Sequence, residues 1–139
     1  MSYKIIGKYI KNLNFEIPNS NTFFLLSQNI SNYKINIDIQ SNQIKENVIE
    51  VCTALNLNPI KGNFDKINTN IVFATIVELE NNKIKKEALE KIVLIDVPSE
   101  VYSELRKIFV NLFEASGFKD IKINEKVDFH KLYDMRKIQ

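Results

Sequence analysis

Few residues of this chain could make or break bonds, and their spacing excludes most such chemistry. His130 is the only histidine among 139 residues, so one chain cannot build a multi-histidine metal site. Cys52 is the only cysteine, which excludes an internal disulfide and leaves it no thiol partner at ligand spacing. Its apolar neighbours, Val51 and Ala54 among them, suit a small buried side chain better than a nucleophile. The three glycines, Gly7, Gly62 and Gly117, are too scattered for a phosphate-cradling loop or a dinucleotide-binding turn. Asp128 and Asp134 could in principle share acid-base work, but carboxylates on a charged helix are ordinarily just solvated. The inventory predicts no catalytic residue, no metal site and no cofactor: the chain is not expected to be an enzyme.

Binding chemistry is therefore the better prospect. Tyr9, Phe15, Tyr33 and Phe73, with Lys4, Lys8 and Lys11 nearby, could stack bases while lysines follow the phosphates, making an RNA-binding sheet the runner-up class. Against it, aromatics at strand spacing normally fill a core, and a net charge of +2 is too mild to call for a nucleic-acid partner. The longest apolar runs, such as Ile92-Val93-Leu94-Ile95, fall far short of the roughly 20 residues a membrane helix needs. Met1-Ser2-Tyr3-Lys4 lacks the apolar stretch of a signal peptide. The expectation is a cytoplasmic protein with no direct membrane insertion. With 45% hydrophobic and 26% charged residues the chain is ordinary globular material, long enough for one domain spanning 1–139 and its core.

Four segments read as strands, at about Lys4 to Ile17, Tyr33 to Ser41, Asn47 to Leu57 and Asn68 to Leu79. The second is clearest, with Tyr33, Ile35, Ile37 and Ile39 alternating with Lys34, Asn36, Asp38 and Gln40. Reversals are expected at Ser41-Asn42-Gln43 and across Asn58 to Asn63, favouring an antiparallel meander, and a loop is expected from Asn19 to Asn32. From Lys85 to Lys91 the charged, Ala/Leu/Glu-rich composition suits a helical turn or crossover. Pro98 suits the first turn of a long helix with Glu100 near its start, and Ser116-Gly117 suits its end. Val101, Leu105, Ile108, Phe109 and Leu112 share one face of that helix, widened by Tyr102 and Phe113. So broad a stripe either packs on its own sheet or meets a second surface, and spacing leaves both open. Asp128 is a good N-cap for a shorter last helix in which Phe129, Leu132, Tyr133 and Arg136 share a side. The fold class is α+β: a four-stranded antiparallel sheet, a long helix and a shorter C-terminal helix.

Tyr9-Ile10-Lys11-Asn12-Leu13-Asn14-Phe15-Glu16-Ile17-Pro18-Asn19 couples a strand alternation to an abrupt proline stop, and it resembles the opening strand of the SecB family of export chaperones. The resemblance continues in order through Tyr33 to Gln40, Asn47 to Val51, Phe73 to Val77, Pro98 with Arg106 eight residues on, and Val127 to Tyr133. Departures mark a divergent member: Val97 stands for the usual cysteine, Ser103 for a proline, and Ala74-Thr75 for a glycine-rich pair. A milder charge than the family's usual acidity goes with them.

The resemblance implies an ATP-independent chaperone that binds unfolded preproteins and delivers them to the SecA motor. Residues at matching groove positions are Phe73, Ile76, Phe129, Leu132 and Tyr133. It implies a SecA-docking face at Asn12, Glu16 and Asn70, where only Glu16 keeps a carboxylate for SecA's basic, zinc-binding C-terminal tail; any zinc belongs to that partner. It also implies a homotetramer, a dimer of dimers joined near Leu105, Ile108 and Leu112 of the long helix. A chaperone of the same fold dedicated to a toxin-antitoxin system is the alternative within the resemblance.

Overall fold

The computed structural model describes residues 3–29, 33–59, 68–81, 83–118, 123 and 125–138. In chain order these form β1 (Tyr3–Glu16), α1 (Ser20–Asn29), β2 (Tyr33–Lys45), β3 (Val48–Pro59), β4 (Asn68–Leu79), α2 (Lys86–Lys91), a π-helical turn (Ile92–Asp96), α3 (Val97–Ala115) and α4 (Phe129–Ile138). The strands form one antiparallel sheet in the order β1-β4-β3-β2, so β2, β3 and β4 are a meander and β1 closes onto β4. The first two strands are thus the two edges.

That order explains a helix where a loop was expected. The chain must cross the width of the sheet between β1 and β2, about 14 Å at the usual strand spacing, and α1 does so with Thr22 and Leu26 fully buried. The Asn19 side chain caps it, accepting from the Thr22 backbone N–H at 2.8 Å. The β2–β3 reversal also lies beyond its expected place. Ser41, Asn42 and Gln43 continue β2, and the chain turns at Asn47, whose φ of 66° is left-handed. Asparagine is among the few non-glycine residues that tolerate that conformation. The expected reversal after Asn58 lies mostly outside the described residues.

Residues 86–115 are one continuous helix. Pro98 stands inside it, where a proline has no N–H to donate and crowds the carbonyl four residues back. The π-helical turn immediately before it, with the Val97 N–H bonded to the Ile92 carbonyl, inserts the extra residue that absorbs the misfit. At the far end Gly117 (φ 98°) donates to the Glu114 carbonyl and Phe118 to the Phe113 carbonyl, a left-handed glycine stop. The Phe113 and Phe118 rings meet edge to face across it, 5.9 Å apart.

The core lies between the sheet and the long helix. Leu55, Leu57, Ile71 and Phe73 pack with Val101, Tyr102, Leu105, Phe109 and Phe113, and α4 adds Phe129. A neighbouring cluster joins Ile49, Val51, Val77 and Leu79 to Ile92, Val93 and Val97. The broad stripe of α3 is therefore spent mainly on its own sheet.

Candidate functional site

The helices cover one sheet face, and strand alternation decides what remains. Phe15 and Phe73 point to the helix side, where Phe15 meets Phe113 edge to face at 5.0 Å, while Tyr9 pairs with Ala74 on the open face. The aromatic platform needed for base stacking is thus split between faces. The candidate acid-base pair is also occupied: Asp128 caps α4, accepting from the Lys131 N–H at 2.9 Å, and Asp134 pairs with His130 at 3.2 Å.

A groove opens along the β2 edge. Ile39, Gln40, Ser41 and Asn42 form one wall and Lys86, Leu89, Glu90, Val93 and Leu94 the other, with Tyr133 of α4 at one end, around a hollow of about 710 Å³. A hollow of about 190 Å³ continues it past Ile37 and Asp38 to Leu132, and one of about 240 Å³ extends it toward Asn47, Ile84 and Leu79. The lining is apolar in the floor and polar at the rim because β2, as an edge strand, presents both faces to the opening. Tyr133 spans the two levels, its ring buried and its hydroxyl donating to Glu90 at 3.3 Å.

Of the residues assigned to client binding by resemblance, only two meet in this groove. Leu132 is 45% exposed on its rim and Tyr133 lines it. Phe129 touches the hollow but is 2% exposed, and Phe73 is buried beneath the long helix. Ile76 lies on the opposite sheet face, paired with Gly7 and Glu50, so it belongs to a different surface. The groove residues missed at the sequence level are Ile37, Ile39, Leu89, Val93 and Leu94. The four-residue step from Leu89 to Val93 was a usable sign, as were isoleucines on a strand that proves to be an edge.

On the open face Asn12, Asn14 and Glu16 lie opposite Val72, Asn70 and Asn68, so Asn12, Glu16 and Asn70 share one region. Register also places Asn14, Asn70, Asn56 and Asn36 in a row across all four strands, with Asn36 donating to Asn56 at 3.3 Å. The charge on this face concentrates elsewhere. Lys11, carried outward by a β-bulge, donates to Glu50 at 2.7 Å, and the Tyr9 hydroxyl donates to the same carboxylate. Lys11 first and Tyr9 second hold the Glu50 carboxyl down at about 2, while the bond to Glu50 pushes Tyr9 and Lys11 up. Burial, then Glu50 beside it, pushes the Cys52 thiol up, away from a reactive thiolate.

Leu105, expected at a subunit contact, is fully buried in its own core and has no surface left to offer. Ile108 and Leu112 are half-buried. Among the large exposed apolar side chains, Ile6, Tyr9, Ile10 and Leu13 lie on β1, and Phe24, Ile44, Leu132 and Met135 lie elsewhere. No helix among the described residues is long and apolar enough to cross a membrane.

The sequence profile of the family described as preprotein translocase subunit SecB matches residues 1–139. A protein of Pelagibacter ubique that carries the SecB protein-export name is 39% identical over 97% of this chain and 96% of its own length. The protein-export protein SecB of Rhodospirillum rubrum is 28% identical, over 95% of this chain and 80% of its own. Among solved structures, a SecB-like chaperone of Mycobacterium tuberculosis, in complex with a peptide from an antitoxin, superposes with a TM-score of 0.66, covering 91% of this chain and 88% of that one. At 8% identity that likeness is one of fold.

Proposed function

From the premise that this chain belongs to the SecB family, chaperones of protein export, we propose that it holds unfolded preproteins in the groove between β2, α2 and α4, without ATP, and passes them to SecA. One observation carries the reading: a long apolar-floored hollow runs beside an edge strand, reached by the exposed Leu132. Such a site fits a holder of unfolded chains. Apolar floor rewards any hydrophobic segment, and several adjoining hollows let weak contacts accumulate.

Delivery to SecA would use the open face around Glu16. With asparagines at positions 12, 14 and 70, that face would bind SecA's basic tail through hydrogen bonds more than through charge. Glu16→Lys should weaken tail binding more than client binding. Assembly as a dimer of dimers in the cytoplasm is part of the same reading, with Ile108, Leu112 and the exposed β1 residues as surfaces for copies to cover. Native mass spectrometry reads it, and a strictly monomeric protein at micromolar concentration contradicts it.

A second reading keeps the groove and changes the client. The solved SecB-like relative is bound to an antitoxin peptide, which favours a chaperone dedicated to one toxin-antitoxin pair. Refolding assays on several unrelated preproteins separate the two readings. A general export chaperone delays most of them, and a dedicated one delays none.

A further inference from the structure

We propose that residues 86–97 are a lid that pivots as one body at Pro98, where a polar seam divides the core beneath it. On the helix-facing side of the sheet, Thr53 separates Val51 from Leu55 along β3, and Thr75 separates Val77 from Phe73 along β4. Val51 and Val77 pack with Ile92, Val93 and Val97, whereas Leu55 and Phe73 pack with Val101, Leu105 and Phe109. The two threonines are therefore the boundary between two apolar clusters. They are diagonal neighbours across the β3–β4 ladder, fully buried, and neither hydroxyl has a hydrogen-bond partner among the described residues. A buried hydroxyl without a partner costs free energy, so the clusters gain least by adhering along this line.

The long helix is weakest at the same level. Ile92–Asp96 is π-helical, Pro98 brings no N–H, and the Ser99 hydroxyl donates to the Ile95 carbonyl at 2.5 Å, a local bond of the kind that bends helices. Beyond Pro98 the helix is anchored: Tyr3 donates to Glu100 at 3.0 Å, Lys8 pairs with Glu104, and the Arg106 guanidinium donates twice to the Ile123 carbonyl. Before it, no side chain of α2 is buried, and Leu89 and Val93 stand between the hollows of about 710 and 240 Å³. The Tyr133 hydroxyl latches the segment to α4 through Glu90 at 3.3 Å, and Ile5 and Ile39, which touch both clusters, bridge the seam. A segment with space on both flanks and a defective joint can swing without breaking the main core. The pivot stands on packing alone; its use, widening the groove to admit a client, rests on the client-binding reading.

Amide hydrogen exchange on the full-length chain, followed in rising sub-denaturing urea, tests the pivot. Amides of residues 89–97 should open together, with one urea dependence, and exchange about a hundredfold faster than those of residues 101–113, with the step at Pro98. Replacing both seam residues, Thr53→Val and Thr75→Val, keeps their branching and removes the hydroxyls, so the step should shrink about tenfold. Thr75→Val alone should shrink it less, and it carries the test if the double variant does not fold. A smooth gradient inward from Lys86, which is simple fraying, or a step that the valines leave unchanged, overturns the pivot and leaves the client groove standing. With a urea-unfolded preprotein, the double variant should associate about tenfold more slowly than wild type. An unchanged rate overturns the lid's part in admitting clients. Wild type that shows the step yet binds no preprotein overturns the client-binding reading and keeps the pivot.

Discussion

The two edges of the sheet are built for different tasks. β1 is bent by two bulges and tied inward: Tyr3 donates to Glu100 at 3.0 Å, Lys8 pairs with Glu104 at 2.5 Å, and Phe15 packs on Phe113. Its exposed character lies in side chains, Ile6, Tyr9, Ile10 and Leu13. β2 keeps a regular ladder to β3 as far as Gln43 and borders a hollow roofed by helices, so its exposed character lies in backbone and space. An edge with irregular backbone and apolar side chains suits a fixed contact, whereas a regular edge beside a hollow suits occupants that differ in sequence.

The largest expected effect falls on the anchored edge. Phe113 is fully buried and meets Phe15, Phe109 and Phe118, so Phe113→Ala should cost about 3 to 5 kcal/mol in urea unfolding. A loss below about 1 kcal/mol would show that the aromatic cluster does not hold β1. On the other edge, Leu132→Glu should leave stability within about 0.5 kcal/mol, since the side chain is 45% exposed, yet weaken preprotein binding about tenfold. Equal binding by variant and wild type would remove α4 from the groove's function.

A pH titration sharpens the comparison further. Glu50 on β3 reaches across β4 to Lys11 and Tyr9 on β1, and its carboxyl is held at about 2 in the fold against 4.5 ordinarily. The folded state therefore binds fewer protons at this group, so its contribution is complete above about 4.5 and is lost as pH falls toward 2. Glu50→Gln should flatten that part of the thermal-midpoint profile; an unchanged slope would mean that other carboxylates set it. The smallest effect is expected for Lys8→Ala, about 0.2 to 1 kcal/mol, because the ion pair with Glu104 is exposed at both ends.

Much of the fold was legible because periodicity and stop signals are local. The start of β2 at Tyr33, the Ser116-Gly117 stop and the Asp128 cap all stand where the residues predict them. α1 was not legible, since its buried Thr22 and Leu26 matter only once β1 and β2 occupy opposite edges. The continuity of α2 with α3 was hidden by Pro98, which reads as a helix start unless a π-helical turn precedes it. The site was half legible. Leu132 and Tyr133 meet in the groove, but Phe73 and Ile76, three residues apart on one strand, lie on opposite faces of the sheet, and which of those faces is covered is settled only once the helix is placed. The groove walls at Ile39 and Leu94 come from segments distant in sequence and carry no motif.

The most direct measurement is refolding of a slow-folding preprotein, diluted from denaturant with and without this protein and with no ATP. Wild type in stoichiometric excess should delay refolding of several unrelated preproteins, and Leu132→Glu, folded and equally stable, should do so far less. Unchanged refolding of every client in the presence of wild type would contradict this expectation.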